Sequence, residues 1–275
     1  ISIRCKFLHP KKEESPMLCE SEKIEKPCAD SPTVNILSNS AITLFTTDCG
    51  SNIALSGGKD VIKRTHDYIL RPHGSFFSLT CEGKLLPFFS HPLLEEDGKT
   101  SVTFSPLETV FERKTDGLEA SMTTTLFKTK SAFIHTFTAQ NLSSYDKTIV
   151  FRGFIEPALA NVRELEAHPA FCDLFLRIKK KGDLFMIRRI DRNSRAEEFM
   201  GVGTIGLHNP SFSLSRESVV TGNNPLSFLT ALADNSENEI PSPCVFLYAE
   251  LPLKRANGGN FLFSALLEKR KRKLK

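Results

Sequence analysis

The sequence predicts an all-β protein, mainly antiparallel, that folds as a large sandwich of β-sheets. From Val34 onward, short runs rich in β-branched and aromatic residues recur between turn signals such as SNS, RPHG and TDGL. Short turns join most of these runs, whereas parallel strands would need long crossover connections between them. The 275 residues are enough for one large β domain of this kind.

Alternation and composition identify the individual strands. In FIHTFTAQN, the side chains of Phe133, His135, Phe137 and Ala139 share one face, as the two-residue period of a strand requires. TIVFRGFIEP is apolar at nearly every position, which is typical of a strand covered on both faces. Strands are predicted at 34–37, 41–46, 68–70, 75–80, 84–89, 101–104, 109–114, 119–128, 132–139, 148–155, 174–178, 184–189, 225–232, 245–251 and 260–266.

Two segments predict helix instead. ALANVRELEAHPAF changes to a helical period, which predicts a short helix around 158–168 that ends near Pro169. The terminal LLEKRKRKLK predicts the start of a helix over 267–275. GVGTIG at 201–206 lacks the strand–turn–helix setting of a dinucleotide site, so it predicts a loop with permissive backbone angles.

These patterns predict three parts. Residues 1–33 are charged and punctuated by proline, which predicts an irregular segment or a linker from a preceding domain. Residues 34–266 form the predicted β domain, and residues 267–275 form the basic start of a helical linker.

Composition limits the classes of function. The formal charge of +4, from 36 Lys and Arg against 32 Asp and Glu, is too small to indicate nucleic acid as a partner. No run approaches the roughly 20 apolar residues of a membrane span, and the first residues lack the apolar region of a signal peptide. The seven cysteines form no CxxC pair, which predicts reduced thiols in a cytoplasmic protein and no metal site.

Residue types also limit the chemistry. The chain has 22 Phe and 3 Tyr but no Trp, which disfavours a free-standing sugar-binding module, since such modules use aromatic platforms with a polar edge. Neither a GxSxG nucleophile motif nor a phosphate loop is present. Four carboxylates that are close in sequence suit a solvated surface better than a role in acid–base catalysis: Glu156, Glu164, Glu166 and Asp173. His168 in EAHPAF is a candidate ligand residue, and the alternative is a histidine that braces the loop.

Several segments, in order, resemble the N-terminal sandwich domain of glycosyltransferase family 36, later reclassified as glycoside hydrolase family 94. The branch they resemble contains cyclic β-1,2-glucan synthases and β-1,2-oligoglucan phosphorylases. They are SPTVNILSN, FERKTDGLEASMTTTLFKTKSAFIHTFTAQNLSS, FIEPALANVRELEAHPAFCDLFL, IDRNSRAEEFMGVGT and SPCVFLYAELPLKRANGGNFLFSALLEKR, which together extend over about residues 31–270. The sequence departs from the family pattern in two places. The segment SNIALSGGKDV lacks the aromatic residues that the family has there, and Val202 stands where the family has an Arg.

The resemblance implies a large two-sheet supersandwich, similar to galactose mutarotase, that precedes a helical linker and an (α/α)6 barrel. In the family the barrel holds the catalytic Asp, and inorganic phosphate is the co-substrate there, so this chain is expected to hold no catalytic residue and no cofactor. The sandwich packs on its barrel and takes part in homodimer contacts. The ligand-binding candidates that follow are His168, Asp191 and Arg192.

The leading hypothesis is therefore a non-catalytic structural domain of a glycan phosphorylase or glycosyltransferase that acts on β-glucan. Its location would be cytoplasmic, at the inner membrane if the parent is a synthase. The first alternative is an autonomous carbohydrate-binding module. The second is a mutarotase-like sugar enzyme, for which His135, His168 and Glu156 are the candidate catalytic groups.

Overall fold

A computed structural model describes residues 21–28, 32–64, 74–89, 99–190, 197–207, 209–221, 226–235, 242–255 and 261–272. The segment 261–272 is described by its backbone. The predicted strand at 68–70 lies outside the described residues.

The described residues form nineteen strands, three short α-helices and one 3₁₀ turn at Ser227–Leu229. The helices are α1 Val162–Ala167, α2 Pro169–Leu174 and α3 Arg216–Val219. The strands are β1 Glu22–Ile24, β2 Val34–Ser38, β3 Thr43–Thr47, β4 Asn52–Ser56, β5 Lys59–Ile62, β6 Ser75–Cys81, β7 Lys84–Pro87, β8 Lys99–Phe104, β9 Glu108–Thr115, β10 Leu118–Leu126, β11 Ala132–Asn141, β12 Lys147–Ile155, β13 Pro157–Ala160, β14 Leu176–Lys181, β15 Leu184–Ile190, β16 Glu197–Ile205, β17 Ser211–Ser215, β18 Pro243–Leu253 and β19 Phe261–Arg272.

The strands form three antiparallel sheets. The large sheet has nine strands in the order β1-β8-β9-β10-β11-β19-β16-β15-β14. The first small sheet has the order β17-β18-β12-β6-β7, and the second small sheet has the order β13-β5-β4-β3-β2. One hydrophobic core contains residues of all three sheets, so the predicted all-β sandwich class is confirmed.

The core between the large sheet and the first small sheet is built mainly from phenylalanine. On β11, Phe133, His135, Phe137 and Ala139 all point inward and are at most 1% exposed, which confirms the predicted face. The ring of Phe137 lies 5.1 Å from the rings of both Phe77 and Phe151, between centroids. Each buried Phe contributes roughly 2–3 kcal/mol by removing apolar surface from water.

A second apolar cluster lies on the other face of the first small sheet. Phe76, Phe154 and Phe246 project there from three adjacent strands and pack against Phe228 of the 3₁₀ turn and Val219 of α3. Helix α3 and residues 226–235 therefore cover part of this face. The sequence predicted a strand at 225–232, and that prediction is wrong because these residues form the covering turn instead.

Two further predictions, for residues 267–275 and for residues 201–206, differ from the structure. The predicted helix start at 267–275 is wrong, because 261–272 form β19, which pairs with β11 on one side and β16 on the other. The hydrogen bonds of two neighbouring strands outweigh the helical preference of a short Lys- and Arg-rich run. GVGTIG, predicted as a loop, lies mostly within β16, where Gly201 faces Met186 and Gly203 faces Leu184.

The predicted helix around 158–168 is shorter than expected. Residues Pro157–Ala160 form β13, and α1 begins only after Asn161, whose side chain accepts a hydrogen bond from the backbone N–H of Glu164. Pro169 does not end the helical region but begins α2. Proline suits a first helical position because its missing N–H would have no intrahelical partner there.

In the segment predicted as irregular, 1–33, the structure describes 21–28 and 32–33, and these residues include one short strand. Strand β1 pairs with β8 and forms one edge of the large sheet. A disulfide joins Cys28 to Cys49 in the turn between β3 and β4, so the prediction of reduced thiols is wrong for these two cysteines. Gly50 in this turn has a φ of +88°, and an added Cβ would lie 2.5 Å from Phe89 Cβ.

Candidate functional site

Glu156 is a fully buried candidate residue. It lies where the chain passes from β12 of the first small sheet to β13 of the second small sheet. Its carboxylate is fully buried, with Oε1 3.0 Å from Arg216 Nη1 and 3.7 Å from Lys63 Nζ. Oε2 accepts a hydrogen bond from the backbone N–H of Gly74 at 3.3 Å. These contacts compensate the charge of a carboxylate at this position.

Asp173 of α2 completes a group of four charges, of which three are buried and Arg216 is half-buried. Its Oδ2 accepts a hydrogen bond from Lys63 Nζ at 2.9 Å. We call Lys63, Glu156, Asp173 and Arg216 the charged hub. Two cations balance two carboxylates, so each charge is compensated at close range. This arrangement joins both small sheets to α2 and α3, and it favours a structural role over proton transfer.

His135 lies in the main core rather than in a site. Its Nδ1 shares a 2.8 Å hydrogen bond with Thr124 Oγ1, and the rings of Phe77 and Phe133 lie 4.8 and 5.3 Å away between centroids. Burial lowers the pKa of His135 to about 3. A neutral imidazole without access to solvent cannot exchange protons with a substrate, so His135 is excluded as a catalytic group.

His168 is exposed at the junction of α1 and α2. Its backbone N–H donates to the carbonyl of Glu164, and its own carbonyl accepts from the N–H of Cys172. The His168 ring meets the Phe171 ring edge to face at 5.7 Å. Its backbone thus braces both helices, as the loop-bracing alternative expects, while its imidazole faces solvent and remains a candidate ligand group.

Two large exposed apolar side chains follow this histidine on α2. Phe171 is 56% exposed and Leu174 is 52% exposed. We call Val162–Leu174 the α1–α2 knob. Asp173 of the charged hub and the buried Cys172 anchor its inner side, so the knob presents its apolar residues on a fixed base.

The other predicted ligand residues, Asp191 and Arg192, lie outside the described residues. The three groups of the mutarotase-like alternative do not come together: His135 is in the core, Glu156 is in the charged hub and His168 is on the surface. The structure therefore does not support that catalytic set.

The described residues contain one group with metal-ligand atoms close together. Sγ atoms of Cys28 and Cys49 and a carboxylate oxygen of Asp48 lie within 4.8 Å of one another. Asp48 already accepts hydrogen bonds from the backbone N–H groups of Cys28 and Thr33, and the disulfide engages both sulfurs. This group serves to hold the turn.

Sequence reasoning missed a polar cluster around Arg152. The Arg152 guanidinium donates from Nε to the carbonyl of Ala231 at 3.1 Å and from Nη1 to Thr80 Oγ1 at 3.0 Å. It also lies 5.4 Å from the ring centroid of Tyr248, whose hydroxyl donates to Glu250. The available signal was a single arginine inside the otherwise apolar run TIVFRGFI.

The family comparison assigns the chain. The family model described as glycosyl hydrolase 94, supersandwich domain, matches residues 21–274. Because the match covers nearly the whole chain, the chain belongs to this family of supersandwich domains. The expectation drawn from the five resembling segments is confirmed at this level.

Solved structures of carbohydrate enzymes are similar to the chain at low sequence identity. A putative kojibiose phosphorylase from the human microbiome matches at 10% identity and a TM-score of 0.45, over 92% of this chain and 26% of that chain. A putative aldose 1-epimerase from Escherichia coli K12 matches at 9% identity and a TM-score of 0.49, over 88% and 100%. A bacterial glucoamylase complexed with acarbose matches at 7% identity and a TM-score of 0.48, over 92% and 36%.

The chain thus spans about a quarter of the length of the phosphorylase that it matches. No curated protein matches the sequence. Among the described residues, no helix has both the length and the apolar character needed to cross a membrane.

Proposed function

We propose that this chain is the non-catalytic N-terminal domain of a larger family 94 enzyme and that it packs on an (α/α)6 catalytic barrel. The observation that carries the proposal is the family match over residues 21–274. Domains of this family are one part of their enzymes, and the described residues form a sandwich rather than a barrel of helices.

The environments of the buried carboxylates and of His135 support a scaffold role. The buried carboxylates of Glu156 and Asp173 are held by Lys63 and Arg216, and His135 is enclosed by phenylalanine rings. A general acid or base needs access to the reacting group and a pKa near the working pH. These groups lack such access, so the bond-breaking residues belong to the barrel.

The proposed substrate of the parent enzyme is a β-glucan with β-1,2 linkages, with inorganic phosphate as the co-substrate bound by the barrel. This specificity rests on the segments that resemble the synthase and oligoglucan phosphorylase branch. We further propose a homodimer and a cytoplasmic location, at the inner membrane for a synthase parent.

The α1–α2 knob is the proposed contact with the barrel. Two large apolar side chains, Phe171 and Leu174, are each more than half exposed on α2, which the charged hub holds in place. Because each side chain is already about half-buried, covering the rest against a partner would contribute roughly 1–1.5 kcal/mol each. Such a rigid apolar projection is typical of a contact surface between domains.

The test combines the chain with the catalytic domain of its enzyme and measures phosphorolysis of β-1,2-gluco-oligosaccharides. We expect no phosphorolysis by the chain alone, and at least tenfold weaker association with the barrel for the double variant Phe171→Ser, Leu174→Ser. Leu107→Ser is the matched control, because Leu107 is an 81% exposed leucine in the turn between β8 and β9. Phosphorolysis by the isolated chain would overturn the non-catalytic assignment, and an unchanged association of the double variant would overturn the proposed contact.

A carbohydrate-binding role is the second candidate function. The observation that favours it is the cluster of Arg152, Tyr248 and Glu250 on the outer face of the first small sheet.

A further inference from the structure

The outer face of the first small sheet is only partly covered by the chain. Residues 226–235 cross it, with the N–H of Asp234 bonded to Ser213 Oγ and the carbonyl of Ala231 bonded to Arg152. Beyond this crossing segment, the same face continues on β7, β6, β12 and β18 through Leu85, Thr80, Val150, Tyr248 and Glu250. Each of these five side chains is half-buried or exposed.

The strand register places these side chains in two adjacent rows. Arg152 lies between Ser78 and Tyr248 in one row, and Val150 lies between Thr80 and Glu250 in the next. Residues in neighbouring rows of one sheet face are within reach of a single small ligand. We call Arg152, Tyr248, Glu250, Thr80, Val150 and Leu85 the platform.

Arg152 has donor capacity that the described residues do not use. Within the described part of the chain, Nε and Nη1 donate to Ala231 and Thr80, whereas a guanidinium carries five N–H groups. The side chain is 8% exposed and burial lowers its pKa, so further hydrogen bonds would be made in a poorly solvated setting. The crossing segment and Thr80 fix its orientation, which reduces the entropic cost of binding.

Ser78 provides an independent observation beside Arg152. Ser78 is 1% exposed, and its Oγ has no hydrogen-bond partner among the described residues. A buried hydroxyl without a partner costs free energy that a ligand or an ordered water can recover. The unsatisfied hydroxyl and the unused guanidinium donors occur at neighbouring positions of the same row.

The charges of the platform select the class of ligand. A carboxylate ligand would meet Glu250, and a cationic ligand would meet Arg152, whereas a neutral polyhydroxylated ligand can donate to the first and accept from the second. The ring of Tyr248 with Val150 and Leu85 supplies an apolar surface for the C–H face of a pyranose. The Tyr248 phenol stays protonated because its hydrogen bond to Glu250 raises its pKa.

We propose that this platform binds one neutral sugar unit of an oligosaccharide. Arg152 and Glu250 contact the sugar hydroxyls, and the Tyr248 ring lies against its apolar face. The proposal does not depend on the barrel contact of the α1–α2 knob, which lies on other elements, so either proposal can fail without the other.

The chain contains a natural control for this site. Tyr145, Lys147 and Glu82 form a second trio of a tyrosine, a cation and a glutamate. Lys147 Nζ lies 5.2 Å from the Tyr145 ring centroid, and the Tyr145 hydroxyl donates a hydrogen bond to Glu82. In that trio Lys147 is paired with Glu82 at 3.1 Å. Glu250→Gln in the platform can therefore be compared with Glu82→Gln in a trio of matching chemistry.

The experiment is calorimetric titration of the 275-residue chain with β-1,2-, β-1,3- and β-1,4-gluco-oligosaccharides. Binding is expected to be saturable, at least tenfold weaker in Glu250→Gln and in Arg152→Lys, and unchanged in Glu82→Gln, with unfolding midpoints confirming that each variant is folded. Lysine keeps the charge at position 152 but loses the planar fork, so this variant reports hydrogen-bond geometry. Absence of saturable binding to all three glucans, or equal affinities of wild type and both platform variants, would overturn the proposal.

Discussion

His135 is a polar side chain whose chemistry is set by its position on a strand. The two-residue period of β11 directs it into the core between Phe133 and Phe137, where it hydrogen-bonds to Thr124. The loss of hydration lowers its pKa to about 3, so it is neutral in the folded protein at physiological pH. A histidine of this kind adds a pH-dependent term to stability without taking part in function.

We predict that His135 makes the fold less stable as the pH falls from about 6.5 towards 3. In that range the unfolded chain binds a proton at this histidine and the folded chain does not, so acid favours unfolding, by about 1.4 kcal/mol per pH unit at most. His135→Gln removes the titrating group, and its free energy of unfolding should fall less steeply over the same range. Urea unfolding at a series of pH values measures both slopes, and parallel curves for the two proteins would contradict the prediction.

At the scale of elements, the first and last strands of the large sheet along the chain, β1 and β19, differ in how much the sheet depends on them. Among the described strands, β1 pairs with β8 alone, over Glu22–Ile24. Strand β19 lies between β11 and β16 and pairs with both. An edge strand adds hydrogen bonds to a finished sheet, whereas a central strand joins the two halves of the sheet.

Truncation should reveal this difference. A chain without residues 1–28 loses β1 and the Cys28–Cys49 disulfide, which together cost several kcal/mol, of which the cross-link is roughly 3 kcal/mol in the chain-entropy account. We expect it to fold with reduced stability. A chain that ends at residue 260 loses β19 and should not fold, because the large sheet is divided. Far-UV circular dichroism and urea unfolding distinguish the two truncated chains. A cooperative unfolding transition of the chain that ends at residue 260, at the same urea concentration as the full chain, would refute the prediction.

At the scale of the whole molecule, the charged hub connects elements that are distant in sequence. Lys63 follows β5, Glu156 lies between β12 and β13, Asp173 belongs to α2 and Arg216 begins α3. The ion pairs therefore tie the two small sheets to the α1–α2 knob and to the segment that covers the second apolar cluster. Such a hub specifies the relative positions of these parts.

Removal of one hub charge should be far more costly than removal of a surface charge. Glu156→Gln removes a carboxylate that faces the buried Lys63 and the half-buried Arg216, so we expect a loss of about 3–5 kcal/mol in the free energy of unfolding. Asp146→Asn is the control, since Asp146 pairs with Lys254 on the surface and is 54% exposed. Urea unfolding of both variants checks this expectation. Equal, small effects would show that the hub contributes little.

Much of the fold follows from the sequence because it depends on local signals. The alternation of β11 and the apolar run of β12 identify their strands, and the turn signals between them separate the hairpins. Five ordered segments also resemble the family, and the match to the supersandwich domain confirms that assignment. These features need only residues that are close in the chain.

The tertiary structure decided what depends on distant residues. The last basic run is a strand because β11 and β16 supply hydrogen bonds on both sides, and Cys28 meets Cys49 because the β3–β4 turn lies beside the incoming chain. Glu156 is a buried ion-pair partner because Lys63 and Arg216, both distant in sequence, lie beside the end of β12. Arg152 gains Tyr248 and Thr80 as neighbours through the pairing of β12 with β18 and β6. Local periodicity determines which residues form strands and which faces are apolar. Strand order and register determine which charges and rings meet, because those contacts join residues that the sequence keeps far apart.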